Sequence, residues 1–462
     1  MQIAPRLIHE PSQSKSFLPL SQFTPSELPI QDVACTICGC VCDDLKIRVQ
    51  GGRLVEAENA CKLARPFLLK QTSHAHWPAY HHGAECTPET AIREAADILK
   101  SSRAPLIYGL SRSSTTGQRA AVRLADSLGA TIDTTASRCH APSIVALQQA
   151  GENTCTLGEA RHRCDLVIFW GSNPAVSHPR HGERYSLTPL GEFLPKGRLD
   201  RKVVVVDTQK TETTEIADFW LKLPPASDFD VIWALRSLVG GQVPCRWPKG
   251  VGIEAIQKLA SLMTHCRSGI VYFGLGLTRH GPPHANVEAL LRLVTDLNSK
   301  TRFYARRMRI PGDVAGADSV LCWQTGFPFS VNFSRGFPRY GPGEYSANEI
   351  LERREADCCL FVGSEGFEKL SASAQAHVRA IPTIVLDYPS ETPDFSPTVR
   401  FTTAVYGIHQ HGTAYRMDET PIPLKPVLPC GDGNTDADIL HNIVSQLSEG
   451  SEPSDPPAPY SH

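Results

Sequence analysis

Residues 165–186, DLVIFWGSNPAVSHPRHGERYS, decide how the rest of the chain is read. The run 165–171 is rich in β-branched and aromatic side chains and reads as a buried strand. It breaks at WGSNP (170–174), where Gly171, Ser172 and Asn173 offer backbone N–H groups and short polar side chains to an anion. A second strand, KVVVVD (202–207), follows, and Asp207 at its tip can accept hydrogen bonds from a ribose or a guanine edge. Further strands are expected at APLIYGL (104–110), GIVYFGLGL (269–277), DCCLFVGS (357–364) and TIVLD (383–387). Helical patterns lie between them, one ending near Gly129 and one at HANVEALLRLVTDLN (284–298). Ser346 and Glu349 have the spacing of a capping box ahead of ILERREAD. This alternation predicts an α/β fold of several βαβ units, with mainly parallel sheets and helices on both faces. Such sheets bind ligands at the carboxyl ends of their strands. Asp228, in PPASDFDVIWAL, precedes a helix and reads equally as a ligand contact or an N-cap.

Upstream, CTICGCVCDDLKIRVQGGRLVEAENACK holds Cys35, Cys38 and Cys42 as C-x2-C-x3-C, with Cys61 eighteen residues further on. Soft thiolates at this density suit an iron–sulfur cluster or zinc. LKIRV and RLVEAE alternate on either side of Gly51-Gly52, so a β-hairpin is expected to return Cys61 to the first three. Cys40 is read as a spare facing elsewhere. Lys62 is either a cation between the cluster and its electron partner or a solvated lysine.

The chain has 462 residues, long enough for several domains or layers. Hydrophobic residues make up 41% and charged residues 20%, so a sizeable core is available. A net charge of −2 argues against a nucleic-acid-binding protein. No apolar run reaches the roughly 18 residues of a membrane span, and the start shows no signal peptide. Fifteen cysteines without an export signal point to a reducing, cytoplasmic setting. The expected organisation is a Pro/Ser-rich tail or arm (1–31), a cysteine-rich domain (32–80), α/β domains (81–395), a short C-terminal segment (396–447) and a disordered tail (448–462).

Taken in order, the cysteine quartet, WGSNP, VVVVD with T-x-T and then PASD resemble molybdopterin oxidoreductases. The family of B-type subunits of formylmethanofuran dehydrogenase is the closer likeness. Segments 134–186, 323–344 and 411–424 look like it, and the resemblance covers roughly residues 32–428. It implies a [4Fe–4S] cluster on Cys35, Cys38, Cys42 and Cys61, and tungsten or molybdenum held by two guanine-bearing pterins. Gly171, Ser172, Asn173, Asp207, Thr211, Asp228 and Lys62 would serve those cofactors. The family's metal-ligating cysteine and its following histidine correspond to Cys139-His140, and its active-site arginine best matches Arg309 in YARRMRIPGD. A thiolate is a soft ligand, and imidazole moves protons near neutral pH. The residues after Arg309 depart from the family's usual glycine and histidine. Carbon dioxide and formate would be interconverted here, beside an amidohydrolase-like subunit and a subunit completing the pterin site. The alternative is a non-redox structural subunit of a bacterial formyltransferase/hydrolase complex in one-carbon metabolism.

Overall fold

A computed structural model describes residues 28–448 apart from Ala75, Asp432 and Gly433. Most of the two tails expected from the sequence therefore lies outside the described residues. Two sheets form the body. The smaller has five parallel strands in the spatial order Phe219–Lys222, Lys202–Asp207, Leu166–Trp170, Ser268–Phe273, Arg302–Arg307. Val203, Val204, Val205 and Val206 are all fully buried. A run apolar on both faces suits a parallel strand covered by helices on each side.

The larger sheet has nine strands, of which five are parallel: Val399–Thr402, Thr383–Asp387, Cys358–Val362, Pro105–Gly109 and Thr131–Thr134. Antiparallel pairs of short strands close it at either edge. Helices such as Thr115–Leu128 and Pro283–Leu297 bury one apolar face on these sheets. The former ends as expected on Gly129, in the left-handed conformation that glycine adopts without strain.

The predicted hairpin is present. Leu45–Gln50 pairs with Arg53–Glu58 through Gly51-Gly52, and Ile30–Val33 adds a third strand. The expected capping box is not formed. Ser346 does stand at the N-cap of Ala347–Glu352, but its hydroxyl pairs with Ser330 Oγ at 2.8 Å and accepts from Gly343 N at 2.8 Å. The buried Asp133 carboxylate instead takes the helix's first N–H, from Ala347, at 2.7 Å.

At the tip of Leu166–Trp170 the chain must turn under the neighbouring strand's loop. Gly171 has φ +54°, and a Cβ there would sit 2.5 Å from the Leu277 nitrogen. Gly171→Ala is therefore expected to lower stability by roughly 1–3 kcal/mol, read as an earlier midpoint in urea denaturation.

Candidate functional site

A cavity of about 470 Å³ opens at the carboxyl ends of the five-stranded sheet. Gly171, Ser172, Asn173, Asp207, Thr211 and Asp228 all line it. The order of strands reverses there, between Leu166–Trp170 and Ser268–Phe273, which is where open parallel sheets leave a crevice. Ser172 Oγ donates to the Tyr272 carbonyl at 3.1 Å. Asn173 Oδ1 accepts from Thr213 Oγ1 at 2.7 Å, and its Nδ2 donates to Glu212 at 2.7 Å. Asp207 Oδ1 takes the N–H of Thr208 at 2.7 Å. The Asp228 carboxylate accepts from Trp170 Nε1 at 2.8 Å, while Ser227 holds the N-cap position, so Asp228 is not the cap. Burial raises its pKa. The Thr211 hydroxyl caps Glu212–Glu215 in a reciprocal box with Thr214. Lys62 is exposed, and its charge helps to hold down the pKa of Glu212, the partner of Asn173.

Cys139 and His140 follow the Thr131–Thr134 strand, after a single 3-10 turn. Both are buried. Burial pushes the Cys139 thiol up to about 11, opposed by Lys369 and Arg309. Burial, then Arg309, drives the His140 pKa well down, so the ring is neutral, and its Nε2 has no hydrogen-bond partner. Arg309 is buried and paired with Asp318 at 2.9 Å. The other two arginines of the run are engaged elsewhere: Arg306 with Glu419 and the Met417 carbonyl, Arg307 with Glu152 at 2.9 Å. Arg309 is thus one of the charges acting most strongly on both Cys139 and His140.

Cys35, Cys38, Cys42 and Cys61 line one small pocket, closed on its far side by Pro179 and Arg180. Cys40 lines it too, which corrects the expectation that it faces elsewhere. Cys40 is buried like Cys38, and Val41, between Cys40 and Cys42, has φ +36°. Hydrogen bonding between the two holds the Cys38 pKa down and pushes that of Cys40 up. Burial raises Cys42 to about 12, against the pull of Arg184 and Arg180. No cysteine among the described residues is in a disulfide.

The sequence reading missed a second set of strand tips. FWGSN (169–173) with VVVVD (203–207) is repeated as FVGSE (361–365) with TIVLD (383–387). In both sheets the strand bearing the G-S tip lies beside the strand ending in aspartate, although the chain order of the five parallel strands differs: 3-2-1-4-5 in the first and 2-1-3-4-5 in the second. There Ser364 N and Oγ both donate to Asp387, and Gly109 stands where a Cβ would meet the Val362 carbonyl at 2.5 Å. The repeat itself was the available signal. Asp318 and His178 were also missed.

Three further histidines are buried and neutral: His178 at about 4, His181 at about 3 and His409 at about 4, each chiefly through desolvation. Their folded pKa values lie below the unfolded value near 6.5. The unfolded chain therefore binds more protons as the pH falls, and stability drops from about pH 6.5 down to about pH 4. The urea midpoint is expected to fall between pH 7 and pH 5, and to fall less in His181→Gln.

No family model matches the chain. Its fold is that of a solved formyltransferase/hydrolase complex component. The FhcABCD complex of Methylorubrum extorquens with methylofuran superposes with a TM-score of 0.67 at 22% identity, over 80% of this chain and 99% of that one. In sequence, the B-type subunit of the Fhc formyltransferase/hydrolase complex of that organism is 25% identical over 299 residues, 62% of this chain and 74% of that protein. The B-type subunit of tungsten-containing formylmethanofuran dehydrogenase 2 from Methanocaldococcus jannaschii is 36% identical over 430 residues, 91% of this chain and 99% of that protein. The chain belongs to the family of formylmethanofuran dehydrogenase B-type subunits. No helix among the described residues is long and apolar enough to cross a membrane.

Proposed function

We propose that the chain is the redox subunit of a formylmethanofuran dehydrogenase-like complex. It interconverts carbon dioxide and formate at a tungsten or molybdenum centre held by two guanine-bearing pterins. Cys35, Cys38, Cys42 and Cys61 would hold a [4Fe–4S] cluster, which would supply the electron path. The observation that carries this reading is the meeting of Cys139, His140 and Arg309 at one buried place, with Arg309 bonded through its backbone to the cysteine loop: Gly39 N donates to the Arg309 carbonyl at 3.1 Å.

The donor sets suit these groups. Cys139 is a soft ligand, and two like sets of strand tips, each with a glycine that leaves no room for a Cβ, suit two nucleotide-bearing pterins. Four cysteines share one pocket, yet among the described residues no three Cys, His, Asp or Glu side chains converge as on a single ion. Soft thiolates at this density suit an iron–sulfur cluster.

When bound, the metal centre supplies a two-electron couple and a Lewis-acid position. Arg309 holds the formate anion, and Asp318 fixes the guanidinium's direction. His140, kept neutral, receives the proton when formate is oxidised and returns it in the reverse direction. Partner subunits complete the pterin site and transfer the formyl group.

The test is metal analysis of the complex, purified anaerobically with its partners. Tungsten or molybdenum with about four irons per chain supports the proposal. A complex lacking both overturns it in favour of a structural subunit of the formyltransferase/hydrolase type.

A further inference from the structure

His178 lies on the wall between the two sites. With Ser177 it lines the strand-tip cavity, while the next two residues, Pro179 and Arg180, line the cysteine pocket. The imidazole is almost fully buried. Its Nε2 is 2.9 Å from the Arg309 carbonyl, which fixes the proton on Nε2 because a carbonyl only accepts. Nδ1 then accepts from Ser177 Oγ at 2.8 Å, and that hydroxyl also lies 3.1 Å from the Asn173 carbonyl of the WGSNP loop. The Arg309 carbonyl has a second donor, Gly39 N, between Cys38 and Cys40. A Cβ on Gly39 would meet that carbonyl at 2.6 Å, so backbone and backbone are in close approach. Met417 N closes the far side by donating to the Gly39 carbonyl at 2.7 Å.

We propose that His178 is a positioning residue: by donating to the Arg309 carbonyl it fixes Arg309 and the cysteine loop against each other and against the strand-tip cavity. The inference rests on the proposed function for what Arg309 holds, but the coupling itself is a property of this chain. Asp318 holds the guanidinium end and His178 holds the backbone end, so loss of either contact misplaces the anion-binding group. The Arg309 carbonyl is shared, and so a disturbance at His178 reaches Gly39 without touching a cysteine.

The test compares His178→Phe, which fills the space without a donor, with His178→Gln, whose amide N–H can reach the same carbonyl. Both are made in the assembled complex, prepared anaerobically. In His178→Phe, amide hydrogen exchange is expected to quicken in the peptide 36–42 as well as around residue 178. The KM for formate is expected to rise at least about tenfold, with kcat falling much less. His178→Gln is expected to restore both. Exchange confined to residues 172–186, with an unchanged KM, overturns the proposal, because a merely local packing role would give that pattern. If the wild-type complex holds neither iron nor tungsten or molybdenum, the proposed function fails on its own. The exchange result then decides the coupling alone: faster exchange at 36–42 upholds it and unchanged exchange there overturns it.

Discussion

Arg309→Met is expected to cut formate-linked dye reduction by roughly a hundred- to a thousandfold, the usual cost of removing one preorganised charge from an anion site. Arg309 is nearly inaccessible to water, and so is its partner Asp318. A charge in such a place interacts strongly with anything that replaces water beside it. The single substitution also leaves Asp318 buried without its cation. Burial already pushes the Asp318 pKa up, and Arg309 heads the groups that oppose that push. Breaking a buried pair from one side costs about 3–5 kcal/mol, so the loss of activity in Arg309→Met is mixed with a loss of stability. The double variant Arg309→Met/Asp318→Asn separates the two. It removes the orphaned charge and keeps the Thr134 Oγ1 hydrogen bond, made at 3.0 Å to Asp318 Oδ1, within reach of an amide oxygen. Its urea midpoint should recover while its activity should not. Recovery of activity in the double variant would remove Arg309 from the anion site.

The parts of this site that were legible in the sequence are those where local chemistry and chain order suffice. Gly171 and Asp207 were readable because a buried strand ends abruptly there, and the ends of parallel strands are where ligands sit. The cysteine hairpin was readable because Gly51-Gly52 sits between two alternating runs, and a short turn fixes register. Asp318 was not readable: it lies inside a helix, Val314–Thr325, and only the tertiary packing aims it at Arg309. The same holds for His178, whose partner is a backbone carbonyl 131 residues away. Cys40 failed for a different reason. A cluster needs only four thiols, so Cys40 was set aside, and only the folded loop shows that the fifth thiol shares the pocket. Ser346 and Glu349 have the spacing of a capping box, yet the buried Asp133 carboxylate offers the helix a better acceptor. The second strand tips were present in the letters as a repeat, and the structure shows that the repeat is spatial as well.

Cys40 sharpens the prediction for the cysteine pocket. Five thiols line it, and a [4Fe–4S] cluster takes four. The proposed ligands are Cys35, Cys38, Cys42 and Cys61, which leaves Cys40 as the neighbour that lowers the Cys38 pKa. Cys38→Ser is accordingly expected to abolish the visible iron–sulfur absorption and strip most of the iron from the anaerobically purified complex, whereas Cys40→Ser keeps both. The reverse pattern would move the ligand from Cys38 to Cys40. A colourless, iron-free wild-type complex would show that the quartet holds no cluster. The direction of the pH effect is fixed by the thiols. Burial and mutual repulsion raise Cys35 well above its ordinary value and take Cys42 to about 12, so both are protonated at neutral pH until a cation displaces the proton. Cluster assembly must therefore release protons. Reconstitution of the iron-depleted complex with iron and sulfide should weaken as the pH is lowered from 8 to 6, and Cys40→Ser should follow the same trend because its own proton is not among those displaced. A shallower pH trend in Cys40→Ser would show that Cys40 gives up its proton on assembly, and is a ligand.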